Sequence, residues 1–236
     1  MREEWLLINS GFNNGFYNMA ADEELLNLSK PVLRIYGFKP ACLSLGYFQS
    51  TRNIDFEFLK KNNIHIVRRF TGGTAVLHND ELTYSICTEL TNFKKSVRIF
   101  CREISQILVK TFSCFGLNVE VQSKVDDSGD SLEKNSGICF ANTAKNEISL
   151  NHKKIAGFAQ KKIKNKILHH GSIPFSLDFK LLSGCFKNQE SLGYIKIIEN
   201  KATAINNEIK KNVMFTEFVE ELILNFKEFL NISFTG

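Results

Sequence analysis

A short glycine-containing segment combines the residue types of a ligand-binding loop. It has the sequence RRFTGGTAVLH, runs from Arg68 to His78, and lies between two strand-like runs; we call it the glycine segment. Paired glycines permit close backbone approach or a positive φ, and the arginines supply charged donors for a carbonyl, carboxylate or phosphate. The alternative is a tight hairpin with a surface arginine pair. Because His78 lies in the same stretch, we favour a ligand pocket.

The glycine spacing disfavours two common nucleotide-binding motifs. Gly72 and Gly73 fit neither the G-x-G-x-x-G spacing of a dinucleotide fold nor the G-K-[ST] ending of a phosphate-binding loop. The sequence therefore predicts a pocket of another kind.

A second group of residues offers a nucleophile. Cys139 follows a polar stretch, 122–136, which we interpret as a mobile loop, and it precedes a predicted hairpin that contains Lys154 and Gly157. A lysine on an adjoining strand would favour the thiolate, which is the reactive form of cysteine. The alternative is that Cys139 is a small buried apolar residue, as is usual for a single cysteine. Its position in the sequence leaves both the nucleophile and the buried residue open.

Two adjacent histidines, His169 and His170, lie in a further predicted strand. Neighbouring side chains of a strand point to opposite faces, so the two rings make a poor metal-binding pair. We predict that one histidine is structural and that the other lines the pocket.

Composition narrows the class of protein. The six cysteines lack paired C-x-x-C spacing, so zinc and a disulfide framework are disfavoured and most thiols should be buried. We find neither a signal region nor an apolar run long enough to span a bilayer, and we expect a cytoplasmic protein without a membrane partner. The net charge of +5 is mild, and we expect no nucleic-acid partner.

Helices and strands must position these residues, and their predicted order is irregular rather than a repeated βαβ unit. The first helix is predicted to present Tyr17, Ala21, Leu25 and Leu28 on its apolar face, with Pro31 ending it. Strands are predicted at residues 32–36, 41–46, 64–69, 82–88, 117–121, 147–150, 154–158 and 166–173. Further helices are predicted at residues 55–59, 97–115 and 215–230.

The glycine segment, continued by NDELTYS, resembles the signature of the lipoate-protein ligase A and octanoyltransferase family, which has a biotin/lipoate protein ligase catalytic domain. NMAADEELL, LRIYGF, SLGYFQ, HKKIAGFAQ and HHGSI resemble family blocks in the family's order, up to Pro174. The resemblance implies an α+β fold with a mixed, largely antiparallel sheet backed by helices. It also implies that residues 1–236 form a single catalytic domain without a separate C-terminal accessory domain.

The resemblance implies a tunnel for a medium-chain acyl group beneath the glycine segment. Lys154 matches a family lysine that contacts the acyl carbonyl, and Cys139 matches the nucleophile of the cysteine-dependent LipM-type octanoyltransferase branch. Cys185 lies where another branch places its nucleophile, although its spacing fits poorly, and it is the rival thiol. The residues assigned to substrate binding are Arg68, Arg69, Thr71, Gly72, Gly73, Ala75, His78 and Gly157, and no metal ligand is assigned.

The implied reaction moves an octanoyl group from acyl carrier protein, through a Cys139 thioester, to a lysine of a lipoyl domain or of glycine-cleavage H protein. We expect a monomer that needs no cofactor. One alternative is a lipoate-protein ligase, which would use ATP and Mg. Others are a cysteine-dependent amidotransferase between lipoyl-domain proteins and a non-catalytic binding protein.

Two residues depart from the family pattern. His152 replaces a frequent glycine before Lys154, so we expect Asn151 to adopt the positive φ of that turn. Phe158 replaces a small residue after Gly157, which disfavours nucleotide binding more than acyl transfer.

Overall fold

The computed structural model of the chain describes residues 2–93, 96–122, 147–187, 192–209 and 212–236. Cys139 and residues 123–136 of the predicted polar loop lie outside these ranges. The described strands form one sheet of eight strands and one of three.

The secondary structure alternates irregularly between strands and helices. In chain order the described strands are β1 (Glu3–Asn13), β2 (Val32–Phe38), β3 (Cys42–Leu45), β4 (His65–Arg68), β5 (Val76–His78), β6 (Glu81–Glu89), β7 (Glu120–Val121), β8 (Ile148–Leu150), β9 (Lys153–Ile163), β10 (Lys166–Pro174) and β11 (Ile232–Thr235). The described α-helices are α1 (Gly15–Glu24), α2 (Phe56–Lys61), α3 (Val97–Cys114), α4 (Phe179–Gly184), α5 (Leu192–Lys201), α6 (Ile205–Glu208) and α7 (Phe215–Leu230).

The large sheet has the strand order β11-β1-β2-β6-β10-β9-β8-β7. Strand β1 pairs in parallel with β11 and β2, whereas every other pair of this sheet is antiparallel. In the small sheet, β3 lies between β4 and β5. The predicted α+β class, with a mixed and largely antiparallel sheet, is confirmed.

The alternation of side chains along β6 separates the two faces of the large sheet. Leu82, Tyr84 and Ile86 are buried in the apolar cluster that includes the inner faces of α3 and α7. Thr83 and Ser85 therefore point to the opposite face, because successive side chains of a strand alternate. That face carries buried polar side chains. None of the described helices is both long and apolar enough to cross a membrane.

The first helical region buries only part of the predicted apolar face: Leu25 is buried and Leu28 packs against its cluster. Tyr17 is exposed, and the buried positions of α1 include Asn18 and Asp22. Asn18 donates from Nδ2 to the carbonyl of Gly37 at 3.0 Å, and Asp22 forms an ion pair with Arg34. These polar partners lie on β2, so apolar periodicity within the helix could not indicate the buried polar face.

Other local predictions agree with the structure. The Asp55 side chain caps α2 by accepting from the backbone N–H of Phe58 at 2.8 Å. Asn151 has the expected positive φ of 49°, and His152 also lies in the left-handed region at 65°. The hairpin turn before Lys154 therefore forms without glycine. Strands β1, β5 and β11 and helices α4 to α6 were not predicted.

Candidate functional site

A cavity of about 200 Å³ lies between the large sheet and the small sheet. The small sheet contributes Ser44, Val76 and His78 to its lining. The glycine segment adds Gly73, and helix α1 adds Met19. The segment that resembles a binding loop thus lies over an internal space, as predicted.

The floor of the cavity is a row of residues that crosses four strands of the large sheet. Gly157 of β9 pairs with Ser172 of β10, which pairs with Thr83 of β6, which pairs with Tyr36 of β2. All four residues line the cavity. We call this set the cross-strand row. Adjacent strands lie about 4.8 Å apart, so the row spans about 14 Å perpendicular to the strands.

Close backbone packing holds the glycine segment against the β3 end. A Cβ added to Gly46 would lie 1.8 Å from the carbonyl oxygen of Gly73, so no larger residue fits there without backbone movement. Gly73 has a φ of 92°, which L side chains rarely adopt. The close approach that we predicted for the paired glycines is therefore an approach between two parts of the chain itself.

The two arginines also shape the glycine segment. Arg69 is buried and donates to the carbonyls of Gly72 and Thr74, each at 2.8 Å. Arg68 is exposed and donates to three carbonyls within residues 46–49. We expected both guanidinium groups to donate to a ligand, but these donors hold backbone carbonyls. A direct contact between either arginine and a ligand stays a prediction.

Asp22 is the centre of a buried polar network beside the cavity. Its carboxylate accepts from Arg34 Nη1, Tyr36 Oη and Ser85 Oγ, each at 2.7 Å, and lies 3.3 Å from His170 Nδ1. Burial acts to raise the pKa of Asp22, but the hydrogen bond from His170, the charge of Arg34 and the hydrogen bond from Ser85 outweigh it, so the pKa is lowered. The network therefore favours the carboxylate.

His170 extends this network to the glycine segment. Its Nε2 lies 2.6 Å from Thr71 Oγ1, and burial lowers its pKa. The ring is therefore neutral near pH 7, with Nδ1–H donating to Asp22 and Nε2 accepting from the Thr71 hydroxyl. Thr71 thus anchors the glycine segment to His170 of β10. A contact between Thr71 and a ligand stays a prediction.

His169 occupies the other face of β10. It is fully buried and packs against the rings of Phe100 and Phe158. Its Nε2 forms a hydrogen bond with the Tyr84 hydroxyl at 3.0 Å. Burial lowers its pKa to about 3. His170 lines the cavity and His169 belongs to the core, which confirms the prediction of one pocket histidine and one structural histidine.

Replacement of Asp22 with asparagine should destabilise the protein by about 3–5 kcal/mol near pH 7, because the Arg34 charge stays buried without its partner. The lowered pKa of Asp22 gives the wild type stability that is present above an unfolded-state pKa of about 3.9 and is lost as the pH falls further. The difference between wild type and variant should therefore narrow toward about pH 3.

Urea unfolding at both pH values measures this effect. Glu23→Gln is the matched control, since Glu23 is the exposed neighbour of Asp22 on the same helix. Equal free energies of unfolding for wild type and Asp22→Asn near pH 7 would contradict a central role for this carboxylate.

His78 belongs to a second buried network. Its Nδ1 bonds to Glu81 Oε1, its Nε2 lies 2.7 Å from Ser44 Oγ, and its ring stacks on Phe38 with centroids 4.1 Å apart. The Glu81 carboxylate also accepts from Thr83 and from Ser172 of the cross-strand row. His78, which we assigned to substrate binding, lies in the cavity wall with both ring nitrogens held in place.

Lys154 and Glu147 form a buried ion pair at the β9 end of the cavity. Lys154 Nζ lies 2.5 Å from Glu147 Oε1, and both side chains are almost completely buried. Glu147 and Gly157 line the cavity. The structure therefore places the predicted carbonyl-contacting lysine beside one end of the cavity and supplies it with an acidic partner.

Cys185, the rival thiol, lies in a separate apolar cluster with Leu45 and Leu182. Its Sγ donates to the carbonyl of Leu181 at 3.2 Å. Burial, with the nearby Asp55 carboxylate, raises its pKa to about 12, so the thiol stays protonated. Burial also raises the pKa of the other described cysteines, Cys42, Cys87, Cys101 and Cys114. None of the cysteines in the described ranges is therefore a ready nucleophile.

Sequence reasoning missed several polar residues of the site. Ser172 and Thr83 belong to strands that were correctly predicted, and their alternation with apolar neighbours was a usable signal. Glu81 is the first residue of β6, one position before the predicted start of that strand. Asn18 and Asp22, four residues apart, fall on one helical face and could have indicated a polar buried stripe. Ala75, which we assigned to substrate binding, is buried in the cluster that contains Cys185, and its contact with a substrate stays a prediction.

Comparison with known proteins agrees with this architecture. Residues 14–227 match the model of the lipoyl protein ligase A/B catalytic domain. The chain is 36% identical to octanoyltransferase LipM of Staphylococcus epidermidis, over 99% of this chain and 90% of the relative. It is 34% identical to octanoyltransferase LipM of Clostridioides difficile, over 98% of this chain and 89% of the relative.

A solved structure gives the same fold. The bipartite lipoate protein ligase of Thermoplasma acidophilum, studied with its E2 lipoyl domain, matches with a TM-score of 0.76 at 24% identity, over 100% of this chain and 86% of that chain. At this identity the likeness concerns the fold alone. On the match over residues 14–227 and the identity to relatives along nearly the whole chain, the protein belongs to the lipoyl protein ligase A/B catalytic domain family.

Proposed function

We propose that the protein transfers an octanoyl group from a carrier-protein thioester to a lysine of a lipoyl-domain protein, by way of a thioester on Cys139. Its similarity to LipM octanoyltransferases over nearly their whole length makes it an octanoyltransferase of protein lipoylation. The cysteine route, the donor and the acceptor are the parts that we propose. The observation that supports them is the cavity lined by Glu147, which holds Lys154 in a buried ion pair.

In the first half-reaction, the Cys139 thiolate attacks the carbonyl carbon of the octanoyl thioester. A new carbon–sulfur bond forms, the bond to the carrier sulfur breaks, and the carrier leaves as a thiol after taking a proton. Negative charge develops on the carbonyl oxygen, and the Lys154 ammonium, held in place by Glu147, is suited to stabilise it.

In the second half-reaction, a neutral lysine amine of the acceptor attacks the acyl-enzyme. A carbon–nitrogen bond forms, the bond to Cys139 breaks, and the amine proton passes to the departing sulfur, which restores the thiol. An amide is more stable than a thioester, so this route needs neither nucleotide nor metal. We accordingly propose no cofactor, and we propose the cytoplasm as the compartment.

The main alternatives differ in the acyl donor. A ligase of the same family would activate a free acid with ATP and Mg. An amidotransferase would take the acyl group from octanoylated H protein through the same cysteine. A binding protein would form no product.

The test is a product assay with the purified protein, octanoyl-acyl carrier protein and an unmodified lipoyl domain, without ATP. Intact mass should show the lipoyl domain heavier by one octanoyl group and an acyl adduct on the enzyme. Product from octanoic acid only with ATP would identify a ligase instead. Product only from octanoylated H protein would identify the amidotransferase. Binding without product from any donor would identify a non-catalytic binding protein.

A further inference from the structure

We infer that Met19 closes the far end of the cavity and thereby sets its length for an eight-carbon acyl chain. This inference rests on the proposed function, because it concerns which acyl group the same cavity accepts. It is carried by the direction of the cross-strand row and by the composition of the wall at its β2 end.

The cross-strand row gives the cavity two different ends. The β9 end has Gly157, Glu147 and the buried Lys154 ammonium, which suit a reacting carbonyl. The β2 end has Tyr36, and Met19 lies with it in one apolar cluster. An acyl group with its carbonyl at the β9 end therefore directs its methyl end toward β2.

The length of the row fits a medium chain. A peptide residue advances by about 3.3–3.6 Å over three backbone bonds, so an extended alkyl chain advances by about 1.2 Å per bond. The seven carbon–carbon bonds of an octanoyl group then occupy about 8–9 Å. The row spans about 14 Å between the outer strands, which is longer than an extended octanoyl chain.

Two of the three side chains at the β2 end are locked by their neighbours. The Arg34 guanidinium lies 3.8 Å from the centroid of the Tyr36 ring, and the Tyr36 hydroxyl belongs to the Asp22 network. Phe38 is stacked on His78. A longer chain could displace either ring only by breaking these contacts.

Met19 is the adaptable part of this wall. It is half-buried on α1, packs against the cluster of Tyr36, Phe38, Cys42 and Val67, and also lines the cavity. A methionine side chain is unbranched and flexible, and it fills irregular space without fixing polar groups. Shortening it should lengthen the cavity while the two locked rings and the Asp22 network stay in place.

The experiment compares donor thioesters with acyl chains of six, eight, ten and twelve carbons in the formation of acyl-enzyme, measured by intact mass at early times. Wild type should prefer eight carbons. Met19→Ala removes three heavy atoms beyond Cβ and should raise the ten-to-eight rate ratio by about tenfold or more, given the usual discrimination per methylene. Met19→Phe should shift the preference toward six carbons.

Met214→Ala is the matched control, because Met214 is 59% exposed and precedes α7. It should leave the chain-length profile unchanged. An unaltered ten-to-eight ratio in folded Met19→Ala would overturn the inference, and if that variant does not fold, an unaltered eight-to-six ratio in Met19→Phe would do so.

Failure of the proposed function gives a different result. Wild type would then form no acyl-enzyme with any donor. In that case, thermal stabilisation of wild type and Met19→Ala by hexanoic, octanoic and decanoic acids still decides the inference. A longer optimum in the variant supports Met19 as the end of the cavity, and identical optima refute it.

Discussion

Cys139→Ser should abolish octanoyl transfer, with a fall in turnover of at least about 10³-fold, since loss of a covalent nucleophile is among the largest single-residue effects in catalysis. A serine hydroxyl is far less ionised than a thiol near neutral pH and lacks a dedicated base in the proposed mechanism. The variant should still bind its substrates. The measurement is steady-state formation of octanoylated lipoyl domain, together with the mass of the enzyme.

Cys185→Ser is the matched control for this experiment. The Cys185 thiol is buried, its pKa is raised to about 12, and a serine hydroxyl can make the same hydrogen bond to the carbonyl of Leu181. We expect transfer at the wild-type rate. Octanoylated lipoyl domain produced by Cys139→Ser without ATP would refute the thioester mechanism, and loss of transfer in Cys185→Ser alone would move the nucleophile to that residue.

Lys154→Met should lower the rate of transfer by about 10²–10³-fold, which is the usual cost of losing one donor to a developing oxyanion. It should also destabilise the fold by about 3–5 kcal/mol, because the Glu147 carboxylate would remain buried without its cation. Single-turnover kinetics and urea unfolding measure the two effects separately. Lys153→Met is the control, since Lys153 is the preceding lysine of the same strand and is only half-buried.

The double variant Lys154→Met, Glu147→Gln separates catalysis from folding. Replacing the Glu147 carboxylate with an amide should restore much of the free energy of unfolding, because the pair of methionine and glutamine carries no buried charge. Transfer should stay slow, since no cation faces the acyl carbonyl. Recovery of both the free energy of unfolding and the rate of octanoyl transfer in the double variant would show that Lys154 has only a structural role.

Much of the fold was predictable because it depends on local patterns. The alternation of β6 and β10, the periodicity of α3 and α7, and the Asp55 cap are each encoded within a few neighbouring residues. Strands β1 and β11 were missed because neither alternates regularly between buried and exposed residues, and β5 was missed because it has only three residues. The predicted roles of Cys139 and the substrate-binding contacts remain predictions.

The glycine segment shows which features the sequence indicates and which features depend on the tertiary structure. The sequence indicated that two glycines permit close backbone approach, and it indicated that two arginines supply donors. It could not indicate that Gly46 is the backbone that approaches, or that Arg69 donates to carbonyls of its own segment. The first fact depends on how the segment packs against the end of β3, and the second on how the segment curves around the Arg69 side chain.

By itself, the sequence determined the residue types that chemistry requires, their order, and the periodicity of most elements, since these properties are local. Only the tertiary structure decided which side chains share a space. Asp22 could be read as a surface acid of an amphipathic helix until β2 placed Arg34 against it. The cross-strand row exists because the register of four strands aligns residues between positions 36 and 172, and alignment across a sheet is a property of pairing rather than of any one segment.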